Sequence, residues 1–349
     1  MRQNVKNRLR NLLGRSFCSK RERKFLCAGI LTVAVCMFLS GCQVAGTEIV
    51  LKDNLGEHEV FSINGTKVSD SKMKVYLANF QNIYGICYGI DLWQQDFQTA
   101  ELTTYIKEAS LAQITKIICM DQMAEANEIT LDENDLSIIK TTAAEYYESL
   151  SHAEREYMNI SQHEIEDLYE EYYLADKLYT SLTENVNREV SDDEARVMEA
   201  IMIYVDNEEA ANNAVTRLNA GEDFAAVAAG TSQQLETHVY VSRADVPPEV
   251  EEVIFQLDNE AVSGIIFADG GYYIVKCISK YDQERTDANK ANIVEQREKA
   301  AFDDKYDAFV LSAESELNDV LWESMTLITD GSIETDDFFA RMDSAIAIE

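Results

Sequence analysis

Ile265-Ile266-Phe267-Ala268-Asp269-Gly270-Gly271-Tyr272-Tyr273-Ile274-Val275-Lys276-Cys277-Ile278 reads as a β-hairpin. Runs of β-branched and aromatic residues flank Asp269-Gly270-Gly271, residue types that tolerate the positive φ of a tight turn. Working outward, Pro248 suits the first turn of a helix leading to Val253 and Phe255. Val239 to Ser242 reads as a short strand. Phe224 to Ala229 is a short helix, and Glu208 to Leu218 a longer one stopped at Ala220-Gly221. Ala200 to Val205 reads as another strand. Residues 191–283 therefore predict a small mixed α/β module.

On both sides of the module the pattern is helical. Met73, Tyr76, Leu77, Phe80 and Tyr84 recur at three and four, behind Ser69 or Asp70 as N-caps. Leu102, Ile106, Ile114 and Ile117 belong to a longer helix ending near Asn127. Thr130-x-x-Glu133 is a capping box ahead of Leu136, Ile139, Ala143, Tyr146 and Leu150. Ser161-x-x-Glu164 precedes Ile165, Leu168, Tyr172 and Tyr179, and Ser191-x-x-Glu194 opens the module. After Arg285, Phe302, Tyr306, Phe309 and Val310 form an apolar stripe. Leu317, Val320 and Leu321 continue it loosely, and Thr335 to Met342 reads as a last short helix. The expected class is α+β and mostly helical, with N- and C-terminal helices (61–190 and 284–349) sharing one domain and the module inserted between them.

The first 41 residues read as an address, not a fold. They hold nine Lys/Arg and Glu22, and end in an apolar run from Phe25 to Leu39, short for a membrane span. Leu39-Ser40-Gly41-Cys42 resembles the lipobox of bacterial lipoproteins, which implies lipidation of Cys42 and cleavage before it. The alternative is an uncleaved anchor, and in either case the bulk of the chain faces outward. Residues 42–60, polar and without period, read as a tether.

Of 30 basic and 63 acidic residues, the leader takes nine and one, leaving 21 and 62 in the remainder. So acidic a surface repels phosphate backbones and argues against nucleic acid as a partner. Beyond the leader and Cys42 remain Cys87, Cys119 and Cys277, an odd set without CxxC spacing that reads as core residues. His58, His152, His163 and His238 have no ligand spacing, and His163-Glu164 lacks the second histidine of HExxH. Asp132-Glu133-Asn134-Asp135 lacks EF-hand spacing. No metal and no cofactor are expected.

Four segments carry a family resemblance. Gly221-Glu222-Asp223-Phe224-Ala225 resembles the start of the second helix of parvulin-type peptidyl-prolyl isomerases. Val246-Pro247-Pro248 through Phe255-Gln256-Leu257 resembles their pocket segment. Glu260-Ala261-Val262-Ser263-Gly264 is similar to a turn of theirs, and Gly271-Tyr272-Tyr273-Ile274-Val275-Lys276 to their closing strand. Ile63-Asn64-Gly65, the Trp93 region and the following helices resemble the chaperone domain of SurA-like and PrsA-like foldases. The resemblance covers most of 61–325. It implies an extracytoplasmic folding factor held on a Gram-positive-type cell membrane by its lipid, with unfolded or newly exported proteins as clients; a homodimer is compatible with it.

The family's site is not reproduced. Its two histidines are expected at Ile201 and Tyr273, and its acidic or cysteine residue near Gln234. Its pocket residues fall at Val246, Val250 and Phe255, and its glycine-rich loop has only Leu235-Glu236-Thr237 in its place. An isomerase must favour the twisted amide across a barrier of about 18–20 kcal/mol. Without the polar groups and with smaller pocket walls, weak or no catalysis is expected, and the function rests on chaperone-like binding. Two other readings stand beside it: an isomerase with a non-histidine site, and a non-enzymatic scaffold lipoprotein. The tyrosines at 146, 147, 157, 169, 172, 173 and 179 are expected chiefly in the core, although tyrosine also suits a client-binding cleft.

Overall fold

The computed structural model describes residues 43–44, 47–50, 55–87, 90–94 and 99–347. The leader and Cys42 lie outside the described residues. Strands β1 (Gln43–Val44) and β2 (Thr47–Val50) come first, inside the stretch read as a tether. Thr47, Ile49 and Val50 are β-branched, and that strand propensity outweighs the polar average of the segment. Strands β3 (Glu59–Ile63) and β4 (Thr66–Ser69) pair antiparallel. Asn64 and Gly65 turn between them at φ of 48° and 87°, the double positive φ of a type I′ turn.

Helix α1 (Asp70–Gly85) follows, then a small hairpin of β5 (Ile86–Cys87) and β6 (Ile90–Asp91). Helices α2 (Thr99–Ala126), α3 (Glu133–Ser149), α4 (His152–Met158) and α5 (Gln162–Thr183) complete the N-terminal series. The capping box at Ser161 is formed as expected. The box at Thr130 is not: Asp132 caps α3, and Asp135 reaches back to the Asp132 N–H at 2.8 Å. An aspartate at the N-cap outcompetes a threonine two residues earlier. Leu136, assigned to the buried face, is 43 % exposed.

Helix α6 (Asp192–Ala195), strand β7 (Val197–Val205), helices α7 (Glu208–Asn219) and α8 (Phe224–Thr231), strand β8 (His238–Ser242) and helix α9 (Pro248–Ile254) come next. Strands β9 (Ile266–Ala268) and β10 (Gly271–Ser279) and the long helix α10 (Gln283–Val310) follow. The chain ends in β11 (Ser315–Leu317), α11 (Asp319–Ser324) and α12 (Phe338–Ile346).

Two compact units result: Val186–Glu298, and a second made from Met1–Asn185 together with Lys299–Glu349. In the larger, β11 sits in the middle of the sheet β1-β2-β11-β3-β4, parallel to β2 and antiparallel to β3. Helices α1, α2 and α5 pack on one another, and α3 on α5. Their core is aromatic. Tyr146, Tyr169, Tyr172, Tyr173 and Tyr179 are buried, as expected for core tyrosines, whereas Tyr147 and Tyr157 are half-buried. Phe338 of α12 stacks on Tyr169 with ring centroids 4.4 Å apart.

The smaller unit is a four-stranded antiparallel sheet, β8-β7-β10-β9. The β9–β10 hairpin is turned by Asp269 and Gly270 alone, at φ of 49° and 75°. Gly271 is already in the strand. One face of the sheet, with Ile203, Val205 and Ile274, is covered by α7 and α8. The other, with Met198, Ala200, Met202, Val275 and Cys277, is covered by α9 and the residues after it.

Candidate functional site

Side chains alternate between the two faces of a strand, so register decides which of them meet. On β10, Tyr273 faces the α9 side of the module's sheet with Val275 and Cys277. On β7 that side carries Met198, Ala200, Met202 and Tyr204. Ile201 is on the other side, packed with the α7 and α8 cluster, and lies opposite Lys276. The expected pairing of Ile201 with Tyr273 is therefore incorrect: Ile201 is off by an odd number of positions, which places it on the opposite face.

The residue opposite Tyr273 is Tyr204. Their rings are 5.0 Å apart and inclined at 53°, within the range of favourable aromatic pairs. The Tyr204 ring lies over Gly271, where a Cβ would fall 2.2 Å from Tyr204 Cε2 and 2.8 Å from its hydroxyl. Gly271 is thus required by close approach. The sequence held one signal for Tyr204: it alternates with Ile203 and Val205, which have the composition of a fully buried face.

The other expected site residues divide. Val250 and Phe255 are buried and Val246 half-buried, and all three join the Tyr273 cluster. Val250 is 0 % exposed and so is part of the core beneath the cleft. The Phe255 ring has two guanidinium groups on it, Arg196 at 5.0 Å and Arg243 at 4.8 Å, a cation–π arrangement. Arg196 also donates to the Phe255 carbonyl at 2.9 Å, and Arg243 is fixed by Glu251 at 3.1 Å and Asp193 at 2.8 Å.

Gln234 is exposed and does not join the cluster. The loop around it clips to β7 by backbone bonds: the Met202 N–H donates to the Thr237 carbonyl at 2.8 Å, and the Gln233 N–H to the Tyr204 carbonyl at 2.9 Å. Leu235 points fully into solvent.

The chemistry available is limited. Burial, then the neighbouring Tyr204 and Asp269, raises the pKa of Tyr273, and burial, then Glu260, raises that of Cys277. Both stay protonated at neutral pH. Tyr273 can donate a hydrogen bond but is not poised to exchange a proton. His238, the module's histidine, lies beyond the cluster and pairs with Glu199 at 2.8 Å. The arrangement is an apolar, tyrosine-lined surface suited to holding a chain.

Comparison with known proteins bears on the whole chain. Residues 160–292 match the family model of the PPIC-type PPIase domain. A foldase protein PrsA from Caldanaerobacter subterraneus is 25 % identical over 249 residues, 64 % of this chain and 74 % of that protein. Another PrsA, from Halalkalibacterium halodurans, is 26 % identical over 216 residues, 54 % of this chain and 63 % of its own length. A crystal structure of the peptidylprolyl isomerase PrsA from Bacillus cereus superposes with a TM-score of 0.38 at 16 % identity, covering 85 % of this chain and 99 % of that one.

Proposed function

On the premise that this chain carries a PPIC-type parvulin domain and is a PrsA-like foldase, we propose that it works as an extracytoplasmic folding factor which binds unfolded exported proteins and catalyses proline isomerisation weakly or not at all. The observation that carries the second half is the Tyr204–Tyr273 pair, which fills the centre of the cleft with two phenols 5.0 Å apart. A snug proline pocket with placed donors is what the twisted amide requires. Here the cleft centre is occupied by paired rings, and Phe255 is held between two arginines.

Two assays test this together. The chain is expected to suppress aggregation of thermally denaturing citrate synthase at near-stoichiometric ratios, and to leave the cis/trans exchange of a Xaa-Pro peptide panel at its uncatalysed rate. Tyr273→Phe is expected to change neither. Catalysis by the unaltered chain that Tyr273→Phe removes would establish an unconventional isomerase instead. Binding to one defined partner without aggregation suppression would favour a scaffold.

Membrane attachment through Cys42 supports the same role, since a lipid at residue 42 would keep an acidic, soluble body at the outer face of a Gram-positive-type membrane. Cys42→Ala is expected to move the protein from the membrane fraction to the medium. Retention of the variant in the membrane would mean that the leader itself is the anchor.

A further inference from the structure

Between α11 and α12 lies a stretch without regular secondary structure, residues 325–337. It begins where the family resemblance ends. Among residues 326–337 only Ile333 is buried, so its own side chains anchor it weakly. Its backbone, by contrast, is read closely by side chains of the helical unit. Gln81 of α1 donates to the Ile328 carbonyl at 2.8 Å and accepts the Ile328 N–H at 3.1 Å, as a neighbouring β-strand would. Glu154 of α4 accepts the N–H groups of Glu334 at 2.9 Å and Thr335 at 2.7 Å. Asn82 donates to the Thr335 carbonyl at 2.8 Å. At the far end Asn79 accepts the Phe338 N–H at 3.0 Å, and the Tyr169 hydroxyl donates to the Phe338 carbonyl at 2.8 Å.

These contacts have a common character. They go to main-chain groups that every polypeptide carries, as in recognition of an extended peptide by an open sheet edge. Gln81, Asn79 and Glu154 are 1 %, 0 % and 5 % exposed. Once the segment leaves, these buried polar groups need another backbone or water to satisfy them. Beside them lies an aromatic pocket. Phe338 and Phe339 enter it against Tyr76, Tyr146 and Tyr169, with ring centroids 4.4–6.0 Å apart.

We propose that the helical unit holds a groove for an extended polypeptide, read by its backbone and by one aromatic anchor, and that residues 325–339 occupy it as an internal stand-in which an unfolded client displaces. This rests on the folding-factor reading and gives it a place and a control. Client capture becomes an exchange of one backbone for another, so the apolar pocket is never left open to water.

The test is hydrogen exchange, read by mass spectrometry on the full exported chain with and without reduced, alkylated lysozyme, a permanently unfolded cationic probe. Binding is followed separately by fluorescence anisotropy of the labelled probe. With the probe bound, exchange at the amides of Ile328, Glu334, Thr335 and Phe338 is expected to rise at least tenfold, while β7 and β10 of the parvulin module are unchanged. Phe338→Ala is expected to bind the probe about tenfold more tightly. Probe bound with those amides as protected as before would overturn the inference and leave the folding-factor reading standing. Unchanged or weaker binding by a folded Phe338→Ala would do the same. If that variant does not fold by circular dichroism, the exchange result on the unaltered chain decides. Absence of probe binding by both chains would defeat the folding-factor reading, and the inference with it.

Discussion

Gly271→Ala is expected to destabilise the parvulin module by about 2 kcal/mol, in the range for forcing an extra group into a filled site. The added Cβ would sit 2.2 Å from Tyr204 Cε2. Because Tyr204 faces Tyr273 directly, its ring can move only by giving up that contact. The decisive measurement is a double-mutant cycle by urea denaturation. In a Tyr204→Ala background, Gly271→Ala should cost no more than a few tenths of a kcal/mol, leaving a coupling of about 1–2 kcal/mol. Equal costs in both backgrounds would mean that Gly271 is needed for its backbone and not for the ring above it.

The second large effect concerns pH. Asp343 of α12 accepts a hydrogen bond from the Tyr172 hydroxyl at 2.8 Å. Burial, opposed by the Tyr172 bond and assisted by Asp176, pushes its carboxyl up to about 7. A carboxyl whose folded value is raised binds its proton more tightly in the folded state than in the unfolded one. Its stabilising contribution is complete below about pH 4 and is lost as pH rises through about 7. Three units would correspond to roughly 4 kcal/mol, and partial solvation of the site reduces this to about 2 kcal/mol. Asp343→Asn keeps the acceptor for Tyr172 and removes the charge. It is expected to stabilise the helical unit by about 2 kcal/mol at pH 8, and to flatten its stability between pH 5 and 8. A variant less stable than the parent at pH 8 would show that the ionised carboxylate is tolerated.

The fold was legible wherever the signal was local. The β9–β10 hairpin announced itself through Asp269 and Gly270, which do adopt positive φ. The Ser161 box and the spacing of Ile165, Leu168, Tyr172 and Tyr179 placed α5 and its buried face. The site was legible only to within the alternation of a strand. Ile201 and Met202 are both apolar in a run buried on both sides, so composition could not tell which face each took. Tyr273 could be placed because the hairpin turn fixes its position relative to the turn; Ile201 had no such marker. The contacts that hold residues 325–339 were beyond reach, since Gln81 and Ile328 are 247 residues apart in sequence. No periodicity reports a bond between a side chain and a backbone that far away.

The central place of β11 in its sheet sets the order in which the molecule can be completed. A ribosome delivers β1 to β4 and the N-terminal helices first, yet the strand that joins β2 to β3 begins at Ser315. The parvulin module, contiguous in sequence from Val186 to Glu298, can close before that strand exists. For most of its own synthesis the helical unit is thus an unfinished sheet with an unclosed aromatic interior, prone to the same misassociation from which a folding factor protects others. Maturation of this protein therefore waits on its last tenth, and truncations near the C-terminus should behave as folding defects of the N-terminal half.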